Sequence, residues 1–287
     1  MAVSDNLVTW FEGTWHRGNP AVMRAADHGL WLGTPVFDGA RLFEGVSPDL
    51  DRHFARVNAS AIVMGMEPTH TVAQMMELAA EGLAMFEPGT AVYIRPMYWT
   101  TESADATVVL ADGASTVFCL CLEAHPMAPQ GSSATLTRVS FTRPTLSSAL
   151  TNAKAACLYP NNARMLREAK SKGFLNALVT DMQGNVAETA TSNVFMARDG
   201  EVFTPIPNGT FLNGITRQRV ITLLREDGVT VHETTLGYAD FEAADEVFMT
   251  GNMTKVMPVT AFDEVHYQHG PVANRARSLY WDWALSA

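Results

Sequence analysis

The sequence predicts two mixed domains of the α/β or α+β class rather than a doubly wound sheet. Short strand-like and helix-like patterns alternate in two blocks, and a stretch rich in proline, glycine and serine separates the blocks at residues 124–133. With 287 residues, 47% of them apolar, the chain can bury a core in each block. We therefore expect a smaller N-terminal domain over residues 1–123, a linker over 124–133, and a larger C-terminal domain over 134–287.

The first block predicts an opening strand, two helices and two longer strands. The first helix is defined by apolar residues spaced four, three and four apart: Leu50, Phe54, Val57 and Ala61. A second helical pattern, rich in Met and Leu, covers about residues 71–87. The segments "TAVYIRPMYWT" and "STVFCLCLEA" alternate as strands and close the block.

The second block resumes with the strand "ATLTRVSFT" and the helix "NNARMLREAKSKG", which ends in basic residues and glycine. Three apolar runs follow, parted by the turn-forming segments "MQGN" and "RDGE". A helix that starts at Gly214 and the late strand "DEVFMTGN" complete the pattern.

Composition excludes several classes of protein. The net charge of -10 and the pI near 5.2 argue against nucleic-acid binding, which needs a basic surface. No window reaches the roughly 18 apolar residues of a membrane span, and the start "MAVSDNLVTWFEG" has no leader-like pattern. The histidines and three cysteines show no metal-ligand spacing, so we expect no metal site. We expect a cytoplasmic protein that acts on small molecules.

Lys154 is unusual because it lies among small residues, in "SSALTNAKAACLYP". The chain has only four lysines, and none of the others precedes Lys154. One interpretation is a surface lysine whose small neighbours are accidental. The alternative is an amine in a partly desolvated pocket, where it can act as a Schiff-base nucleophile. The features described next favour the second interpretation.

Three features could bind an anion such as a phosphate. Arg56 lies on a predicted helix, and a guanidinium can hold a phosphate through two parallel hydrogen bonds. Ile215 and Thr216 open a helix at Gly214, where backbone N–H groups and the helix dipole favour an anion. The segment 250–252 follows a strand and can form a turn with its amides pointing at an anion. Each feature alone is also compatible with an ordinary solvated arginine, helix start or turn.

Two other charged residues are candidates for a site. Glu188 follows the "MQGN" turn among small residues, and it is either a surface carboxylate or one that holds a proton on a ring nitrogen. Arg95 shares a strand face with Tyr93, Met97 and Trp99, where an unpaired charge would be costly. The partner of Arg95 would be a structural carboxylate or a substrate carboxylate. Together with Lys154 and the anion-binding features, these residues are what a pyridoxal phosphate enzyme needs.

Seven segments resemble class IV aminotransferases of pyridoxal phosphate fold type IV, the D-amino acid aminotransferase-like fold, and are most similar to branched-chain amino acid aminotransferases. In order, they are "WLGTPVFDGARLFEG", "DRHFARVNAS", "YIRPMYW", "NAKAACLYPNN", "VAETATSNVF", "LNGITR" and "DEVFMTGN". The resemblance implies a small N-terminal and a larger C-terminal domain with the cofactor between them, and a homodimer. It also implies transfer of an amino group from a branched-chain or other hydrophobic donor to a 2-oxo acid, either 2-oxoglutarate or pyruvate.

The resemblance also implies a role for individual residues. Lys154 would form the Schiff base with pyridoxal 5'-phosphate and move the substrate proton, Tyr159 would contact the phenolic oxygen of the cofactor, and Glu188 would pair with the ring nitrogen. The phosphate would be held by Arg56, Ile215, Thr216 and Asn252. The substrate pocket would be lined by Leu32, Phe37, Gly39, Arg41, Tyr93, Arg95 and Met253.

Three segments depart from the branched-chain pattern, and all three concern the substrate pocket. Leu32 stands where these enzymes usually have a tyrosine, "TTESADAT" replaces a glycine-rich loop, and Asn252-Met253 replaces Thr-Ala. The retained Tyr93 and Arg95 favour a branched-chain enzyme. The alternatives are an (R)-selective amine:pyruvate transaminase, a D-amino acid aminotransferase, aminodeoxychorismate lyase, and a pyridoxal phosphate-binding protein without turnover.

Overall fold

A computed structural model describes residues 6–286, which form two compact units. The first unit ends at Met127 and also includes Asn152–Cys157, and the second comprises Ala128–Thr151 and the chain from Leu158 onward. Residues 1–5, where the predicted leaderless start begins, and residue 287 lie outside the described part. Residues 125–133 contain no helix or strand. The domain boundaries drawn from the sequence stay a prediction.

The first unit is built on an antiparallel six-stranded sheet in the order β2-β1-β6-β5-β3, with β4 also paired to β5. Its elements are β1 (Leu7–Phe11), β2 (Thr14–Arg17), α1 (His28–Trp31), β3 (Val36–Phe37), β4 (Ala40–Leu42), α2 (Leu50–Val63), α3 (Val72–Leu83), β5 (Val92–Thr100), a 3₁₀ turn (Gly113–Ser115) and β6 (Thr116–Ala124).

The two helices of the first unit follow the apolar patterns of the sequence. The four residues that predicted α2 are all buried, and they pack in one core with β5 and β6. Thr71 begins α3 with a capping box, since its hydroxyl accepts from the backbone N–H of Gln74 and the Gln74 side chain accepts from the Thr71 backbone. The helix ends at Leu83, earlier than predicted. Beyond it the chain continues in tighter turns, since the N–H groups of Met85 and Phe86 donate to the carbonyls of Gly82 and Leu83, three residues back.

The second unit is built on a mixed nine-stranded sheet in the order β12-β11-β10-β13-β14-β7-β8-β9, with β15 paired to β14. Its elements are β7 (Ala134–Arg138), α4 (Tyr159–Ser171), β8 (Asn176–Thr180), β9 (Val186–Thr189), β10 (Asn193–Arg198), β11 (Glu201–Pro205), α5 (Ile215–Glu226), β12 (Val231–Thr234), α6 (Tyr238–Glu242), β13 (Glu246–Gly251), β14 (Lys255–Phe262), β15 (Val265–His266) and α7 (Pro271–Ser286).

Two strand and helix ends in the second unit have clear local causes. The strand β7 stops at Arg138, short of its predicted end, because the backbone N–H of Ser140 donates to the Glu168 carboxylate instead of to a neighbouring strand. The helix α5 begins after Gly214, as predicted, and Gly214 adopts an extended conformation at its N-cap. These elements place Glu188 on β9 and residues 250 and 251 at the end of β13.

Within residues 6–286, no helix is long and apolar enough to cross a membrane. The same part of the chain contains no group of three or more His, Cys, Asp or Glu residues placed to hold a metal ion.

Candidate active site

The predicted site residues are divided between the two units. The first unit contains Leu32, Phe37, Gly39, Arg41, Arg56, Tyr93, Arg95 and Lys154. The second unit contains Tyr159, Glu188, Ile215, Thr216, Asn252 and Met253. The chemical roles of all these residues stay predictions, and each unit is described by itself below.

Lys154 is anchored through its backbone in the first unit. Its N–H donates to Ser60 Oγ on α2 at 3.0 Å, and its carbonyl accepts from the N–H of Phe37 at 3.1 Å. The flanking Ala153 and Ala155 are fully buried, so larger side chains would not fit at either position. The Lys154 Nζ atom lies 5.0 Å from the centre of the Phe37 ring. Packing therefore accounts for the small neighbours and fixes the base of the lysine side chain.

Arg56 is oriented by a buried carboxylate that the sequence analysis did not identify. Arg56 Nε and Nη2 donate to the two oxygens of Asp38 at 2.6 and 2.8 Å, and His53 Nδ1 lies 2.8 Å from Asp38 Oδ1. Burial alone would raise the pKa of Asp38, but the charge and hydrogen bonds of Arg56 and His53 outweigh it and hold that pKa well below its ordinary value. The pair uses two of the five N–H donors of the guanidinium.

Replacing Asp38 with asparagine is expected to lower the free energy of unfolding by about 3 kcal/mol at pH 7, because the variant leaves Arg56 and His53 without their buried counter-charge. Since the folded-state pKa of Asp38 is depressed, its contribution is present above the unfolded-state pKa of roughly 3.9 and is lost as the pH falls below that value. In urea unfolding, the free energy of unfolding of Asp38→Asn should therefore lie below that of the wild type by a constant amount near neutral pH. This difference should shrink at about pH 3. Exposed Asp51, on the same stretch of chain, is the control position, and Asp51→Asn should have little effect. A deficit that does not change down to pH 3 would exclude this explanation.

Gly39 and Tyr93 are in close contact. A Cβ atom on Gly39 would lie 2.4 Å from Tyr93 Oη, so only glycine leaves room for the phenol. Arg41 pairs with Tyr93 across β4 and β5, and its guanidinium donates to the His125 carbonyl. Burial lowers the pKa of Arg41 to about 10, although nearby Tyr93 acts in the opposite direction.

Arg95 has an anionic neighbour within the protein. Its Nη2 atom lies 3.8 Å from Glu123 Oε2 and donates to Cys121 Sγ at 3.2 Å. Burial acts to lower the pKa of Arg95, but Cys121, Tyr93 and Glu123 together raise it. The structural carboxylate that the sequence allowed is therefore present. The Arg95 side chain is also 33% exposed, whereas Arg41 has no exposed surface, so Arg95 is the more accessible of the two arginines to a ligand.

Glu188, in the second unit, is held by a buried arginine that precedes Lys154 in the chain. Arg143 Nη2 lies 3.1 Å from Glu188 Oε1. The same guanidinium donates through Nη1 to Asn162 and through Nε to the Thr210 carbonyl, so its position is fixed from three sides. Glu188 is therefore not an isolated surface carboxylate. Its ion pair with Arg143 holds the carboxylate in a single orientation.

Asn193 connects Glu188 to the start of α5. Its Nδ2 atom donates to the Leu212 carbonyl at 3.0 Å and lies 3.4 Å from Glu188 Oε2, and its Oδ1 atom accepts from the Gly214 N–H at 3.2 Å. A Cβ atom at Gly214 would lie 2.1 Å from Asn193 Oδ1, so glycine is required for this approach. The helix then opens with Ile215 and Thr216, which have no side-chain cap, and the first N–H groups of such a helix lack intrahelical partners.

The turn after β13 contains two polar atoms that lack a protein partner. Thr250 Oγ1 and Asn252 Nδ2 are buried, and neither has a hydrogen-bond partner among the described residues. Thr250 pairs with Asn193 across β10 and β13, so this turn and the Glu188 cluster belong to one region of the second unit. Because buried donors without acceptors are costly, the turn fits a ligand that carries acceptor oxygens. Phosphate oxygens are acceptors of this kind.

The other predicted pocket residues lie at turns and element ends. Leu32 is half-buried at the C-terminal end of α1, Tyr159 begins α4, and Met253 follows Asn252 in its turn. The loop after β5, which contains "TTESADAT", is irregular and is held to α1 because His28 Nε2 lies 3.1 Å from the Val109 carbonyl oxygen.

Asp38, Arg143 and Asn193 were missed by the sequence analysis. Asp38 gave a usable signal, since it is a charge inside the apolar segment "PVFDGARLF" and should have required a partner. Arg143 lies in a polar stretch, and Asn193 follows Ser192 at the start of a strand. Neither residue therefore stands out in a single sequence.

Known proteins resemble this chain in both sequence and fold. The sequence model of the amino-transferase class IV family matches residues 35–262. The structure of an aminotransferase from Brucella abortus bound to the co-factor PLP is 62% identical, with a TM-score of 0.95, over 97% of this chain and 99% of that one. The branched-chain-amino-acid aminotransferase of Escherichia coli (strain K12) is 28% identical over 95% of this chain and 91% of its own length. A solved structure of the Escherichia coli branched-chain enzyme has a TM-score of 0.88 at 26% identity, over 96% of this chain and 94% of that one.

The family match covers most of the chain and contains every predicted site residue except Leu32. It confirms the predicted two-domain fold class and the predicted aminotransferase activity. The chain belongs to the class IV aminotransferase family.

Proposed function

We propose that this chain is a pyridoxal phosphate-dependent aminotransferase that moves an amino group from a branched-chain or other hydrophobic amino donor to a 2-oxo acid. The observation that carries the proposal is the 62% identity, over nearly the full length of both chains, to an aminotransferase bound to pyridoxal phosphate. The branched-chain donor is supported by relatives of that name at 28% identity. It is also supported by the resemblance of the segment "YIRPMYW", which contains Tyr93 and Arg95.

The second unit contains several groups that suit the cofactor. Thr250 and Asn252, together with the backbone N–H groups at the start of α5, would hold its phosphate, because they combine buried donors with the positive end of a helix dipole. Glu188, which Arg143 orients, would hold the proton on the ring nitrogen. The bound cofactor supplies an electron sink for the negative charge that develops at the substrate α-carbon.

Lys154 is the proton carrier in this proposal. Its Nζ atom would take the proton from the α-carbon of the amino donor and pass it to the bound cofactor, and in the second half of the reaction it would carry a proton from the cofactor to the α-carbon of the new amino acid. Its anchored backbone keeps the amine within a short reach of its target, and such positioning is a large part of the advantage of an enzyme over free reactants. Phe37, beside the amine, keeps water from that side.

A homodimer and a cytoplasmic location belong to the same proposal. The first unit exposes a set of large apolar side chains on α1 and on the loop held to it, namely Leu30, Trp31, Val109 and Leu110. Exposed apolar groups of this kind suit an interface between subunits. All three cysteines are free, as suits a reducing compartment. Analytical ultracentrifugation of the purified protein tests the dimer.

The activity is tested by offering the purified protein L-leucine, D-alanine and (R)-1-phenylethylamine in separate reactions, each with 2-oxoglutarate and with pyruvate. We expect conversion of L-leucine, with loss of the yellow colour on addition of the donor and its return with the 2-oxo acid. Conversion of the amine but not of leucine would replace the branched-chain donor by an amine. Cofactor binding without conversion of any donor would leave a binding protein without turnover, and release of pyruvate from aminodeoxychorismate without an acceptor would indicate a lyase.

A further inference from the structure

Lys255 occupies a position that is unfavourable for lysine on two counts. The residue has no exposed surface, so its charged form must be compensated inside the protein. Its backbone has a φ of 57°, in the left-handed region that usually selects glycine in hairpin loops. Such backbone conformations are strained and concentrate at functional sites. Lys255 is the first residue of β14 and pairs with Gly251 across the three-residue turn 252–254.

The ammonium of Lys255 is fixed between two groups. Nζ donates to Asn252 Oδ1 at 3.0 Å, and it lies 5.8 Å from the centre of the ring of Tyr280, a buried residue of α7. The hydrogen bond and the aromatic face both favour the positive charge. The buried lysine therefore contacts the turn through Asn252 and contacts α7 through Tyr280.

This contact determines which way the Asn252 amide points. Lysine has only donors, so the amide atom that faces it must be the oxygen. The amide nitrogen then points away from Lys255, and Asn252 Nδ2 is the buried donor for which the described residues supply no acceptor. If the amide were reversed, two donors would face each other and its oxygen would lose the lysine. Lys255 therefore orients the Nδ2 donor of Asn252, two residues after Thr250, whose Oγ1 also has no partner within residues 6–286.

We propose that Lys255 is a positioning residue for anion binding, which holds the Asn252 amide so that its N–H groups, together with Thr250 Oγ1, meet the phosphate of the cofactor. This inference rests on the proposed function, which supplies the phosphate. Lys255 acts through Asn252, and its side chain makes no contact with the substrate in this proposal. This positioning role would explain why the turn contains a buried lysine in a strained backbone conformation.

The test compares affinities for pyridoxal phosphate and for pyridoxal, which lacks the phosphate, measured by absorbance titration of the cofactor-free protein. We expect Lys255→Met to weaken pyridoxal phosphate binding about tenfold and to leave pyridoxal binding unchanged. In the Asn252→Ala background, Lys255→Met should cause no further loss, because the two residues act as one unit. Thr254→Ala, in the same turn, is the control and should bind both ligands as the wild type does.

A second variant keeps the test decisive if Lys255→Met does not fold. Asn252→Asp would retain the contact with Lys255 as an ion pair but would replace the outward donor by an oxygen. We expect this variant to be as stable to heat as the wild type and to lose more affinity for pyridoxal phosphate than Asn252→Ala does. If the wild type binds pyridoxal phosphate and transaminates, but Lys255→Met and Asn252→Asp bind it as tightly as the wild type, the role of Lys255 is wrong. If the wild type binds no pyridoxal phosphate, the proposed function itself fails.

Discussion

Replacing Lys154 with alanine is expected to lower the rate of transamination by about 10³-fold or more, which is the largest effect we expect from any single substitution. The variant loses the only group assigned to move the substrate proton. The fold should be retained, because the anchoring hydrogen bonds of this segment come from the backbone and remain possible in alanine. Single-turnover absorbance measurements with L-leucine would follow the loss directly, and thermal unfolding would check the fold.

The matched control is Lys170→Ala, which removes an exposed lysine from α4. It should transaminate at the wild-type rate. A high concentration of methylamine added to Lys154→Ala should restore part of the activity, since a free amine can replace the missing proton carrier. Activity of Lys154→Ala within tenfold of the wild type would assign the proton transfer to another residue.

The parts of the molecule that the sequence predicts well are those set by local rules. The apolar spacing of Leu50, Phe54, Val57 and Ala61 fixes the buried face of α2, because a period of 3.6 residues leaves few alternatives. Gly214 marks the start of α5 for a similarly local reason. The surroundings of Lys154 can also be read from the sequence, since small residues on both sides of a lysine indicate a tightly packed segment.

The parts that the sequence does not predict are the partners of charged residues. Arg56 has the expected helical position, but its pairing with Asp38 joins residues 18 positions apart, and no periodicity connects them. Arg143 reaches Glu188 because its backbone N–H donates to the Thr180 carbonyl at the end of β8, and β8 pairs with β9, which contains Glu188. The hydrogen bond from Lys255 to Asn252 spans only three residues, yet it depends on a left-handed backbone that nothing in "TGNMTKV" requires. Such contacts are decided by tertiary packing.

Replacing Glu188 with glutamine is expected to lower kcat by about 10²-fold, the second largest effect, because the neutral amide no longer stabilises a proton on the ring nitrogen. The shape of the side chain is conserved, so cofactor affinity should fall much less than kcat. Stopped-flow absorbance of each half-reaction would separate these effects. Glu168→Gln is the matched control, since it removes another carboxylate of the second unit that is paired with a cation, Lys172, and it should leave kcat unchanged.

Arg143 should affect the reaction only through Glu188, with which it forms an ion pair. If its role is to orient Glu188, Arg143→Met should lower kcat, and combining it with Glu188→Gln should lower kcat no further than Glu188→Gln alone. Losses that multiply would instead mean that Arg143 acts on the reaction independently. Arg143 also donates to Asn162 and Thr210, so its replacement should reduce thermal stability whether or not Glu188 is present. In the double variant, the effects on thermal stability should add, whereas the effects on kcat should not. That combination would separate the structural role of Arg143 from its effect on Glu188.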